Sequence, residues 1–290
     1  MNETGMILER PLLHEKTFDD KTSQVTYMPA AEQATDRRTM ARLRWRILLT
    51  VLMCLPFMAY IGMVGTGYLL ADQQQLVQLE ASIQNGWIKG EKGLPDRPAV
   101  RIQEMPPYVY QSIIAIEDHR FYQHAGVDPR GLARAVYVDL LEGQKAQGGS
   151  TITMQLARNL FLTQDKTFLR KGKEMALALY LDQAYTKQQL LEMYMNQVYY
   201  GHGKYGIESA ANLYFGKTVK RGVPGKSTIT ENEAAMLAGL LKSPETYSPL
   251  KNEAKAKARG QIVLQRMDSL GYRDLSATGQ ASEHLLQPAQ

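Results

Sequence analysis

The chain has 290 residues, 44% of them hydrophobic and 22% charged, which is enough apolar material for a real core in one large domain or two modest ones. Lys and Arg number 34 against 29 Asp and Glu, a net charge of +5 that suits phosphates, anionic lipid headgroups or nucleic acid without choosing among them. The single cysteine, Cys54, excludes an intramolecular disulfide and a cysteine-based zinc site, and in its apolar run it reads as a small hydrophobe.

Residues 1–46 are polar and lack sustained periodicity, so they are expected to form a poorly ordered tail. From Ile47 to Ala71 no side chain is charged, and 25 helical residues span the ~30 Å hydrocarbon core of a bilayer with some tilt. Pro56, Gly62, Gly65 and Gly67 would weaken a soluble helix but are tolerated in lipid. Trp45 and Tyr68 stand where the two interfaces would be. Arg37, Arg38, Arg42, Arg44 and Arg46 crowd the N-terminal flank, while Asp72 to Glu80 holds no Lys or Arg. The positive-inside rule therefore puts residues 1–46 in the cytoplasm and 72–290 outside. The apolar stretch is too long and begins too late for a cleaved signal peptide, and it lacks an Ala-x-Ala site.

Residues 72–105 read as a connector broken by Gly90, Gly93, Pro95 and Pro98. Helical signals dominate from Pro106 onward. Pro106 and Pro107 open one segment. Asp128 and Pro129 predict an N-cap and first helical residue ahead of Leu132, Val136 and Leu140, with Gly143 as a stop. Thr186 with Gln189 predicts a capping box, with Gly201 ending that helix, and Thr230 with Glu233 predicts another. No long alternating pattern and no internal repeat follow, so residues 106–290 are expected to form one mainly α domain.

Three features carry chemistry. Glu117 shares a helical face with Ile113, Ile114 and Phe121, and a carboxylate on an apolar stripe should have a raised pKa, suiting acid–base work. The same spacing allows a partly buried Glu paired with Arg120 or His124. Gly148-Gly149-Ser150-Thr151-Ile152-Thr153 offers close backbone approach and hydroxyl donors for phosphate or sugar oxygens. It equally reads as a turn whose Ser150 or Thr151 caps a helix bearing Gln155 and Arg158, and it lacks the ending of a Walker P-loop. Arg158, Lys166, Arg170, Lys171 and Lys173 form a basic cluster that suits a pyrophosphate, with Glu174 at the edge of the apolar run Met175 to Leu181. A solvated basic face with an ordinary Arg170–Glu174 pair fits the spacing as well.

Together these features resemble one family. Glu117-Asp118-His119-Arg120-Phe121-Tyr122-Gln123-His124-Ala125-Gly126 matches the Glu-Asp-x-x-Phe-x-x-His-x-Gly signature of family 51 peptidoglycan glycosyltransferases. Gly148 to Gln155 with Arg158-Asn159 resembles its second motif. Thr153-Met154-Gln155 stands there in place of the commoner Thr-Gln-Gln, which puts any role of the first Gln in doubt. Arg170-Lys171-Gly172-Lys173-Glu174 is similar to the third motif. Leu191 to Asn196, running on to Gly201, Gly206, Ala210, Ala211 and Tyr214 to Gly216, resembles the fourth, and Ala234 to Pro249 the fifth. The likeness covers roughly residues 106–270.

The resemblance implies a lysozyme-like, mainly α domain behind one transmembrane helix, set in the bacterial inner membrane with its catalytic part outside. It implies that the acceptor 4-hydroxyl of lipid II attacks the anomeric carbon of a lipid-linked glycan, with inversion and loss of a pyrophosphate. Glu117 would be the base, Glu174 would orient the cations or the donor, and Arg158, Lys166, Arg170 and Lys171 would meet the leaving group. Asp118, Phe121, His124, Gly126, Gly149, Ser150, Thr151, Thr153, Gln155, Asn159 and Asn196 are carried over as substrate-binding positions. No tightly bound cofactor is expected. Mg²⁺ or another divalent cation is a candidate at the pyrophosphate, with no ligand set readable. The helix from Pro129 would touch the membrane, and other cell-wall synthesis proteins are candidate partners.

Two other readings compete. A lysozyme-like hydrolase or lytic transglycosylase would use Glu117 to cleave finished glycan, which offers no pyrophosphate to a basic cluster. A non-catalytic membrane scaffold would not need the Glu117/Glu174 pair. Ser248-Pro249-Leu250-Lys251 matches the penicillin-binding Ser-x-x-Lys. No Ser-Asp-Asn or Lys-Thr-Gly follows it, and only 39 residues follow Lys251, so no transpeptidase domain is expected. Nucleic acid is not expected as a partner, because the cations are local and no recognition motif is present.

Overall fold

The computed structural model describes residues 30–90, 95–142, 148–163 and 167–272. Packing divides the chain between Leu55 and Pro56. The described part of the first unit is helical. Helix α1 (Ala30–Leu70) begins at Ala30, so residues 30–46 of the expected poorly ordered tail are helix. Arg42–Leu70 is long and apolar enough to cross a membrane, alone in this among the described residues, and its most apolar window is covered by no protein. At 1.5 Å per residue its 29 residues reach about 44 Å, well past the ~30 Å of a hydrocarbon core.

In the second unit the last turns of α1 lie on α6 (Phe168–Ala184). A Cβ on Gly67 would come within 2.1 Å of the Ala176 carbonyl oxygen, and Tyr68 meets the Tyr180 ring edge-on at 5.6 Å. Gly67 is therefore required by close helix packing, and Tyr68 has a protein partner. Helix α2 (Gln73–Gln84), capped by Asp72, buries Leu76, Leu79 and Ile83. The antiparallel pair β1 (Trp87–Ile88) and β2 (Arg97–Pro98) follows. The expected connector is thus folded, and its helical stripe at 76, 79 and 83 seats it against α7 (Lys187–Gln197).

Helix α3 (Pro107–Glu117) has Pro107 in its first turn, buries Ile113 and Ile114, and packs against α9 (Glu231–Leu240) and α10 (Glu253–Ser269). It stops where Asp118 leaves helical backbone, at φ −158° and ψ 73°. Phe121 falls in a separate turn of 3-10 helix, so Glu117 ends a helix and does not share a continuous stripe with Phe121. Helix α4 (Pro129–Glu142) starts as expected. The Arg130 amide donates to Asp128 Oδ1 at 3.1 Å, and Val136, Tyr137 and Leu141 are exposed. Gly143 and the side chain of Leu140 lie outside the described residues.

Thr151 caps α5 (Ile152–Phe161), and both predicted capping boxes, Thr186 with Gln189 and Thr230 with Glu233, are formed. Helix α7 ends at Gln197, short of the expected Gly201. Tyr199–Gly201 is strand β3 and pairs with β4 (Lys204–Tyr205) before α8 (Ile207–Phe215). Tyr194, Tyr200, Leu177, Leu181 and Leu237 sit at the centre of one apolar core, and the body is mainly α.

Candidate active site

Glu117 closes α3 and lines a cavity of about 210 Å³ together with Asp118, His119, Arg134, Ser150, Thr151 and Arg266. Packing around the carboxyl pushes its pKa up; the Gln155 hydrogen bond and the charges of Arg259 and Arg158 pull the other way, and Asp118 adds to the rise. Gln155 Nε2 donates to Glu117 Oε2 at 2.8 Å. Its own Oε1 accepts from the buried Tyr194 hydroxyl at 3.0 Å. A carboxylate with raised basicity is thus held at a defined angle on the wall of an open cavity, which is what a general base requires.

The turn after Glu117 is fastened to α5 and α6. Asp118 accepts from His124 Nε2 at 2.9 and 3.1 Å and from the Ile152 amide at 3.1 Å, so the first motif holds the start of α5. Thr151 Oγ1 donates to the Gly126 carbonyl at 2.6 Å and accepts from the Met154 amide at 3.1 Å. Gly126 has φ +74°, and a Cβ there would come within 2.2 Å of the Ala178 carbonyl oxygen. Lys187 of α7 donates to the His124 carbonyl at 2.6 Å and lies over the Phe121 ring at 4.8 Å.

The cation cluster sits on the N-terminal half of α6. Glu174 is buried and is held by Arg170, one helical turn earlier, and by Lys171 Nζ at 3.1 Å. Lys171 Nζ also donates to Ser150 Oγ at 2.7 Å, which ties the cluster to the wall of the Glu117 cavity. Burial brings the Lys171 pKa down to about 8, with help from the charges of Arg158 and Arg170. Arg158 on α5 acts on both Glu117 and Lys171, and its Nε is buried without a protein partner among the described residues. The arrangement offers a desolvated carboxylate on one side and cations gathered around the buried Glu174 on the other.

Glu117, Asp118, Gly149, Ser150 and Thr151 line the cavity, and Gln155, Arg158, Arg170, Lys171 and Glu174 connect to it. Three expected substrate contacts stand elsewhere. Phe121 and Thr153 are fully buried, and Asn196 is latched to the Val100 backbone through its Oδ1 at 3.0 Å and its Nδ2 at 2.7 Å. They hold the scaffold, as do the buried His124 and Gly126. Asn159 is exposed on α5. Lys166 lies outside the described residues. Arg134, Arg259 and Arg266 join the site without having been marked by the sequence, the last two from α10, which lies past the end of the fifth motif, while Tyr194 stands within the fourth. Among the described residues, no three His, Cys, Asp or Glu side chains converge as a protein-built metal site needs.

A mainly helical body with a desolvated carboxylate at a cavity and a cation cluster bonded to the cavity wall through Ser150 has the parts of a group-transfer enzyme. The family model described as Transglycosylase matches residues 88–268, more than half of the chain, and the chain belongs to that family, the family 51 peptidoglycan glycosyltransferases. Penicillin-binding protein 1F of Bacillus subtilis (strain 168) is 44% identical over 230 residues, which are 78% of this chain and 31% of that protein. Penicillin-binding protein 1A of Escherichia coli (strain K12) is 42% identical over 203 residues, 70% of this chain and 23% of that one. Penicillin-binding protein 2D of Bacillus subtilis is 46% identical over 169 residues, 58% and 23%. The chain thus spans less than a third of the length of these relatives.

Proposed function

We infer that the chain polymerises lipid II into β-1,4-linked glycan strands by inverting transfer, releasing the lipid pyrophosphate. Glu117 takes the proton of the acceptor hydroxyl as that oxygen attacks the anomeric carbon. The bond to the pyrophosphate breaks on the opposite face, and the charge that develops there is met by Arg158, Arg170 and Lys171. Glu174 keeps Arg170 and Lys171 in register with Ser150 and limits their mutual repulsion. No cluster of acids stands ready for a metal among the described residues, so Mg²⁺ would come in on the phosphate oxygens of the substrate.

One observation carries this reading: Lys171 joins the buried Glu174 to Ser150, on the wall of the cavity that Glu117 also lines. Cleavage of finished glycan would leave that cation cluster without a purpose. We place the N-terminal arginines in the cytoplasm, α1 across the inner membrane and the catalytic body outside, and read this segment as carrying glycosyl transfer alone. Labelled lipid II in detergent or vesicles, with and without a chelator, tests the reaction. Wild type should yield polymer, and Glu117→Gln should lower the rate by roughly 10²–10⁴-fold, the range for loss of a general base. Shortened strands from added wall, with no polymer, would instead establish a hydrolase.

A further inference from the structure

The catalytic mechanism leaves a second and larger cavity unused. It measures about 550 Å³ and shares no lining residue with the Glu117 cavity. That volume falls within the roughly 300–1,000 Å³ of small-molecule sites. Its walls are the β1–β2 and β3–β4 pairs and one face of α8. Two aromatic rings line it. Trp87 is 61% exposed, an uncommon place for so large an apolar surface, and Tyr205 meets the Tyr199 ring at a tilt of 47° with ring centroids 5.0 Å apart.

Arg97, Lys204 and Lys226 bring three cations to the cavity against the two acids Asp96 and Glu208, which leaves a net charge of one positive unit. Glu208 is buried and spent on Thr218, Asn212 and the Val219 amide. Asp96 accepts from the Gly90 amide at 2.8 Å. Lys204 has no ion pair among the described residues. Ser209 adds a hydroxyl, while the Asn212 amide is taken up by Glu208 and Lys226.

The exposed Trp87 ring matches the apolar face of a pyranose, the Ser209 hydroxyl matches its hydroxyls, and the Lys204 amine matches a carboxylate. We propose that this cavity is a binding site for an anionic glycan, a chain of N-acetylated sugars bearing carboxylate groups. The inference rests on the function proposed above for its supply of ligand, since the strand made there carries peptide stems with free carboxylates. Held at a second point, the strand is retained beside the enzyme between transfers.

The sequence itself provides the probe, because it contains only two tryptophans, Trp45 and Trp87. In the 290-residue chain carrying Trp45→Phe, all tryptophan emission comes from the cavity rim. Three ligands are titrated: soluble disaccharide-peptide strands, an uncharged chitin oligosaccharide, and the free stem peptide. The strands should shift and quench Trp87 emission, with the chitin oligosaccharide about tenfold weaker and the peptide alone without effect. Lys204→Glu should weaken strand binding by about tenfold and leave the chitin oligosaccharide unchanged. A silent Trp87 with all three ligands overturns the proposal. Equal response to chitin removes the anionic part of the claim, and response to the peptide alone makes the cavity a site for acidic peptides. Lipid II polymerisation by the same Trp45→Phe protein separates the two readings. Polymer with a silent Trp87 refutes only the second site, and a responsive Trp87 without polymer refutes only the proposed reaction.

Discussion

Gln155 holds Glu117 from the side, 2.8 Å from its Oε2, and is itself held by the Tyr194 hydroxyl. This bond favours the charged carboxylate and so partly offsets the rise that burial imposes. In Gln155→Ala that offset is lost, and the pKa of Glu117 climbs further. A base works only when ionised, so the acid limb of kcat/KM should move to higher pH. At neutral pH the rate should fall by roughly tenfold, the scale of one hydrogen bond to a charged group. A pH–rate profile with an unmoved acid limb would remove Gln155 from this role.

Lys171 gives the opposite limb. Its pKa of about 8 means that the free enzyme loses this cation in mildly alkaline solution. Because the free enzyme governs kcat/KM, that quantity should fall as pH rises through about 8. A bound diphosphate favours the charged amine, so kcat should decline only at higher pH. Lys171→Arg keeps its charge at all these pH values and should extend the plateau of kcat/KM upward. For folding the sign is reversed. The lowered pKa marks a charge that costs stability below about 8, and that cost is relieved as pH rises towards the unfolded value of 10.5. Stopped assays from pH 6 to 10 on the two proteins measure the shift.

Gly126 tests the scaffold. Its φ of +74° disfavours any side chain, and its Cα lies so close to α6 that a methyl group would strike the Ala178 carbonyl. Gly126→Ala should cost about 3 kcal/mol or more and loosen the Thr151 contact that aligns α5. Thermal unfolding should show a drop of several degrees, and activity should fall further than stability alone explains. Gly172, with open space around it, is the control: Gly172→Ala should leave the melting temperature unchanged or raised.

Local signals in the sequence translated into structure where the physics is local. Thr186 and Gln189 satisfy each other's backbone within one turn, so their capping box is written in four consecutive residues. The end of α3 is different. Nothing near Asp118 in sequence announces that its carboxylate binds the Ile152 amide, 34 residues on, and pulls the chain out of the helix before Phe121. Asn196 and Arg266 show the same limit at the site. One is turned inward by the Val100 backbone, and the other is brought to the Glu117 cavity by α10 packing on α3 and α9. Motif spacing located the acids and cations, and long-range contacts decided which of the remaining residues face the cavity.

Ser248 and Lys251 carry the spacing of a penicillin-reactive pair without its geometry. Ser248 is fully buried, and its Oγ lies 2.8 Å from His202 Nε2. The Lys251 amine is bound instead to Glu245 and is about half exposed, so it cannot serve Ser248 as a base. His202 itself takes the uncommon φ of 49° in the β3–β4 turn. A β-lactam therefore has neither access to the hydroxyl nor an amine to activate it. This segment should take up no label from a fluorescent penicillin under conditions that label a transpeptidase fully, and Ser248→Ala should change nothing in that assay. The same substitution removes the partner of His202, so it should lower the melting temperature by a few degrees. Labelling that disappears in Ser248→Ala would show that the loop opens and that the serine is reactive after all.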